Sequence, residues 1–114
     1  MTDCLFCKIG RKEIAARLAY EDRQVVAFED INPQAPSHTL IIPKAHIATL
    51  NDVGAEQEGL LGHMMVVATR VARDKGLDGR GYRLVANCLE SAGQSVFHVH
   101  VHLLGGRSFS WPPG

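Results

Sequence analysis

Residues 98–104 read His-Val-His-Val-His-Leu-Leu. Polar and apolar residues alternating with a period of two mark a β-strand whose two faces meet different surroundings. Side chains on one face of a strand stand ~6.6–6.8 Å apart along it. His98, His100 and His102 therefore form a row on one side, while Val99, Val101 and Leu103 enter apolar packing on the other. The spacing predicts a strand over 96–104, closed by Gly105-Gly106.

The rest of the chain supplies the sheet and its cover. Leu61, Met64, Met65, Ala68, Val71 and Ala72 recur at three- and four-residue spacing, the apolar stripe of one long helix. Asn51 or Asp52 offers a cap at its start and Gly76 a stop. A short helix is expected over 5–14, and strands over 16–20, 25–28, 39–42 and 81–87. Glu21-Asp22-Arg23 turns between the first two strands, and the prolines of 30–36 mark a loop. The expected fold is α+β: one domain over 1–114, with a mostly antiparallel sheet and its helices on one face.

Charge and composition exclude several roles. The chain has 114 residues, 12 basic and 12 acidic, for a formal net charge of zero. No broad positive field is available for nucleic acid or an acidic membrane, so an anionic ligand needs a local site. No apolar run approaches the ~20 residues that span a bilayer. The opening Met-Thr-Asp-Cys-Leu-Phe-Cys lacks signal-peptide character, so a cytoplasmic protein is expected. Three cysteines make a poor disulfide framework. Cys4-x-x-Cys7 forms a pair, and Cys88 reads as a partly buried reduced thiol.

Three readings of the histidine row compete: a polar sheet face, a row of metal ligands, or nucleophilic catalysis. Imidazole binds zinc readily, and it is also a nucleophile and proton carrier near neutral pH. Attack on phosphorus requires a neutral nitrogen, donors for the phosphoryl oxygens and an acid for the leaving group. His100 can be the nucleophile, with its other ring nitrogen donating to a carbonyl. Gly93, Gln94 and Ser95 just before the strand bring close backbone approach, amide and hydroxyl. His38 is a plausible acid and His102 a support for the phosphate or the proton path, whereas His63 on the long helix reads as a surface residue.

These residues resemble the signature of the histidine triad family, in which three histidines alternate with apolar residues. Further motifs are similar to its Hint branch: Phe6-x-x-Ile9, Phe28-x-Asp30-Ile31-Asn32-Pro33-Gln34-Ala35-Pro36-Ser37-His38, Ile42-Pro43-Lys44-x-His46-Ile47, Gly93-Gln94-Ser95-Val96 and the ending Gly105-Gly106-Arg107 to Trp111-Pro112-Pro113-Gly114. The resemblance spans nearly the whole chain. It implies a five-stranded sheet with one long and one short helix, joined in a homodimer into ten strands. It implies a purine nucleoside phosphoramidase that splits substrates such as adenosine 5′-monophosphoramidate through a nucleotidyl-histidine at His100, with no cofactor in the chemistry.

By the same resemblance His38, His102 and Ser95 complete the catalytic set, and Asp30 holds the ribose hydroxyls. Phe6, Ile9, Phe28 and Ile31 wall the base. Asn87, Gly93, Gln94 and Ser95 face the phosphate and leaving group, and Trp111 reaches the partner's site. Metal-binding members imply a structural zinc on Cys4, Cys7, His46 and His98. The alternatives are a dinucleoside polyphosphate hydrolase or nucleotidyl transferase of the same superfamily, or a non-catalytic nucleotide-binding regulator. The third histidine disfavours the transferases, which carry Gln there, and the Trp-Pro-Pro-Gly ending disfavours the polyphosphate hydrolases.

Overall fold

The computed structural model describes residues 4–114. Its elements are α1 (Leu5–Gly10), β1 (Leu18–Glu21), β2 (Val25–Glu29), β3 (Ser37–Pro43), α2 (Glu58–Asp74), β4 (Tyr82–Val85) and β5 (Val101–Gly105). The strands form one five-stranded sheet in the order β1-β2-β3-β5-β4. Every neighbouring pair is antiparallel. The α+β fold expected from the sequence, with its five-stranded sheet and one long and one short helix, is present, and no helix among the described residues is long and apolar enough to cross a membrane.

The two helices lie on opposite faces of the sheet, not on one. Val25, Ala27, Ile41, Val101 and Leu103 pack with Met64, Val67, Ala68 and Val71 of α2. The alternate residues Val26, Phe28, Leu40 and Ile42 pack with Phe6 and Ile9 of α1. A strand pair buried on both faces has no polar alternation, and that is how Val25–Phe28 and Leu40–Ile42 read.

Several boundaries shift for identifiable reasons. α1 stops at Gly10 instead of residue 14, and Lys12 follows it in the left-handed region at φ 64°. α2 begins at Glu58, because Thr49 and Asp52 cap a separate 3₁₀ turn, Leu50–Asp52, and Gly54 leads into another, Ala55–Gln57. Within α2, Val67 is buried while Met65 is 45% exposed, so the inward stripe runs Met64, Val67, Ala68, Val71.

The largest shift concerns the histidine segment. β5 begins at Val101, so His98 and His100 precede the ladder. There Val99 donates its N–H to Ile47 O and His98 donates to Val96 O, which takes these groups out of strand pairing. The alternation of faces nonetheless persists: Val99, Val101 and Leu103 are in the α2 core. His102 sits opposite Leu40 on the α1 face.

Candidate active site and metal centre

A cleft of about 500 Å³ opens on the α1 face of the sheet. Phe6, Ile9, Phe28 and Ile31 line it together with Asp30, His38, Ser95, His100 and His102. Phe6 stands edge-on to Phe28 at 5.5 Å and to His100 at 5.1 Å between ring centroids. The His100 and His102 rings are 4.9 Å apart. His38 reaches them because β3 and β5 are neighbours, with His38 opposite Leu104 and Leu40 opposite His102.

Backbone groups decide which ring nitrogen carries a proton. His100 Nδ1 lies 2.7 Å from His98 O. A carbonyl only accepts, so Nδ1 donates and Nε2 keeps its lone pair. On the other side, Gln34 N–H donates to His38 Nδ1 at 3.0 Å. His38 Nε2 therefore holds the proton and donates to His102 Nδ1, 2.9 Å away. His102 in turn has its proton on Nε2. The His100 ring thus has Nε2 as its free acceptor, and the His102 ring has Nε2–H as its free donor.

Burial favours the neutral form of the His38 and His102 rings. It pushes the His38 imidazole below its ordinary value, against the opposing pull of Asp30 and Glu29. His102 is lowered to about 4, first by burial and then by the neighbouring His100 and His38. Neutral rings at pH 7 are what the tautomer chain requires.

Next to the cleft, Cys4, Cys7, His46 and His98 bring four ligand atoms within 4.8 Å of one another. Cys4 Sγ and Cys7 Sγ lie 3.3 and 3.5 Å from His98 Nδ1. His46 Nδ1 lies 3.2 Å from Cys7 Sγ and 3.3 Å from His98 Nδ1. A tetrahedral ion with Zn–N of about 2.05 Å and Zn–S of about 2.3 Å sets N–N and N–S separations of about 3.3 and 3.5 Å. The residues therefore fit a closed tetrahedral ion. His98 Nε2 donates to Pro43 O at 2.7 Å, leaving Nδ1 deprotonated for a ligand and supplying the outer support such ligands need.

Asp30, His38 and His102 also bring ligand atoms together. Their 2.9 Å N···N separation is a hydrogen bond. A metal on His38 Nε2 would also force a proton onto Nδ1, against the Gln34 N–H. This second group does not fit a metal.

The structure also places the remaining residues singled out from the sequence. Asp30 Oδ1 accepts from Asn32 N–H at 2.8 Å, and its Oδ2 lies 3.4 Å from His38 Nε2. Ile31 lines the cleft although its side chain is fully exposed. Gln94 departs from expectation. Its amide is buried: Oε1 accepts from Leu89 N–H at 2.7 Å, and Nε2 donates to Ala48 O at 2.8 Å and Val96 O. A buried amide must use its groups locally, so Gln94 braces the loop and its side chain does not line the cleft. Asn87 and Gly93 pack beside each other and do not line the cleft. Trp111 is 82% exposed and lies outside its own chain's cleft.

Two contributions escaped the sequence reading. The Gln34 N–H is a backbone group that no residue type signals. Leu40, which lines the cleft between His38 and His102, was readable from its two-residue spacing to His38.

Residues 11–109 match the HIT domain family, and the chain belongs to that family. It is 50% identical over 105 residues to the purine nucleoside phosphoramidase of Escherichia coli strain K12, covering 92% of this chain and 88% of that protein. It is 51% identical over 112 residues to an uncharacterized HIT-like protein of Synechocystis sp., covering 98% and 97%. The crystal structure of a HIT family hydrolase from Legionella pneumophila superposes with a TM-score of 0.97 at 53% identity, covering 98% of this chain and all of that one. Within the family, the chain is an enzyme of the hydrolase class.

Proposed function

We propose that this hydrolase is a purine nucleoside phosphoramidase acting through a nucleotidyl-His100 intermediate. The observation that carries the reading is the His100 ring: its Nδ1 is tied to His98 O, so its neutral Nε2 is the nitrogen left for the cleft. In the first step a bond forms between Nε2 and phosphorus, and the P–N bond to the amine breaks. The His102 Nε2–H, held in place by His38, donates to a phosphoryl oxygen as charge develops there. Ser95, which also lines the cleft, gives its hydroxyl proton to the departing amine and takes one back from the attacking water in the second step. Water then attacks phosphorus, releasing the nucleoside monophosphate and restoring the His100 lone pair.

The remaining cleft residues suit a nucleoside. Phe6, Ile9, Phe28 and Ile31 give a purine apolar walls, and the Asp30 carboxylate accepts from a ribose diol. The relative's name supports the same substrate class.

Zinc on Cys4, Cys7, His46 and His98 completes the reading. Four protein ligands leave no open position, so the ion would supply rigidity to the segment leading into β5. A homodimer is proposed along β4, an edge strand of the sheet. The exposure of Trp111 outside its own cleft supports a role for it across that dimer.

The test is mass spectrometry of protein quenched during turnover of adenosine 5′-monophosphoramidate. An adenylyl adduct on the peptide holding His100, absent from His100→Ala, is expected. An adduct elsewhere, or undiminished turnover by His100→Ala, overturns the assignment.

A further inference from the structure

The turn that follows β5 leans on the loop that carries the site. Gly105 pairs with Ser37 at the start of β3. At Gly106, φ is 91°, and a Cβ there would come within 2.9 Å of Pro36 Cβ, so backbone lies flush against that proline. Arg107 then donates from Nε to Gln34 O at 3.2 Å. Its Nη1 donates to Ser108 O, and its guanidinium lies 4.3 Å from the centre of the Phe109 ring. Arg107 is exposed and does not line the cleft.

Inside the loop, both backbone polar groups of Gln34 and its side-chain nitrogen have partners. Its N–H donates to His38 Nδ1 at 3.0 Å and its amide donates to Asn32 O at 3.0 Å. Asn32 N–H in turn holds Asp30. Arg107 therefore grips from outside the same residue that fixes the proton position of His38 from inside.

We infer that Arg107 is a positioning residue for the histidine relay: by holding Gln34 O it keeps Gln34 N–H on His38 Nδ1, and so keeps a proton on Nε2 of both His38 and His102. The inference rests on the phosphoramidase reading only for its kinetic consequence. Without the Gln34 N–H, His38 is free to carry its proton on Nδ1. Its Nε2 then becomes an acceptor and turns the proton of His102 onto Nδ1. The lone pair left on His102 Nε2 would face the phosphoryl oxygens and repel them. A guanidinium does not lose its proton in a protein, so the grip persists at every working pH.

The experiment compares wild type, Arg107→Ala and Arg107→Lys in two measurements. In the first, ¹⁵N NMR of the imidazoles in substrate-free protein reads the tautomers directly. Wild type is expected to show His38 and His102 protonated on Nε2, Arg107→Ala a mixture, and Arg107→Lys, which retains a donor, a recovered pattern. In the second, Arg107→Ala is expected to lower kcat for adenosine 5′-monophosphoramidate about tenfold with KM changed less than about threefold, as for a loss confined to the transition state. Unchanged tautomers in folded Arg107→Ala overturn the inference, as does a Lys variant no better than Ala. Absence of turnover by wild type sinks the phosphoramidase reading and leaves the NMR comparison to decide the role of Arg107.

Discussion

Leu89 has φ 73° and ψ 171°, a backbone region open in practice only to glycine. It is held there from both sides. Gln94 Oε1 accepts from its N–H at 2.7 Å, and its carbonyl accepts from Ala92 N–H at 3.2 Å and Gln94 N–H at 3.1 Å. Such a conformation costs about 1–3 kcal/mol. Replacing Leu89 by Gly removes the Cβ clash but adds about 0.5–1 kcal/mol of chain entropy to be lost on folding. The side chain is 44% exposed and belongs to neither core cluster, so its removal sacrifices little burial. Leu89→Gly is thus expected to stabilise the protein by about 1 kcal/mol, raising Tm by about 3–6 °C. Thermal unfolding followed by circular dichroism measures this, with Leu89→Ala as the control. Alanine keeps the Cβ and the strain, so it should give no gain. A Gly variant less stable than wild type, or an Ala variant equally stabilised, would refute the strain argument.

Three further outcomes are expected. Because the folded-state value of His102 is depressed to about 4, the unfolded chain binds more protons between about pH 6.5 and 4, and stability falls as pH drops through that window. The shift sets an upper limit of about 3 kcal/mol, and residual solvent contact brings the expected loss nearer 1–2 kcal/mol; urea midpoints that stay level or rise from pH 7.5 to 4.5 would contradict it. Gly105→Ala should destabilise by about 2 kcal/mol or more, since its Cβ would fall 2.7 and 2.8 Å from the two methyl carbons of buried Leu77, whereas Gly79→Ala, with open space around it, should not show this clash penalty. Elemental analysis should find about one zinc per chain in untreated protein and less than about a tenth in Cys7→Ser, with a lowered Tm; zinc-free wild type made with zinc present would defeat the metal assignment.

The parts of this molecule that were legible in its sequence are those encoded by spacing. The two-residue period placed His100 and His102 on a common face, and the three- and four-residue period located α2. Two covered sheet faces were also written there, in the unbroken apolar runs Val25–Phe28 and Leu40–Ile42, although the helices were expected on one side. What could not be read is set by backbone groups from distant segments. The Ile47 carbonyl draws residues 98–100 out of the ladder, and the Gln34 N–H fixes a tautomer. Gln94 misled because an amide beside Ser95 looks available for a ligand. Only the fold reveals that Ala48, Leu89 and Val96 consume it.

His98 takes part in two centres at once. Its ring joins the thiols and His46, while its own carbonyl is the acceptor that aims His100. A single residue therefore links an oxidisable cysteine cluster to the ring proposed as nucleophile. Whatever loosens the sulfur end, whether a chelator or an oxidant, acts on the peptide from which the His100 ring takes its bearing.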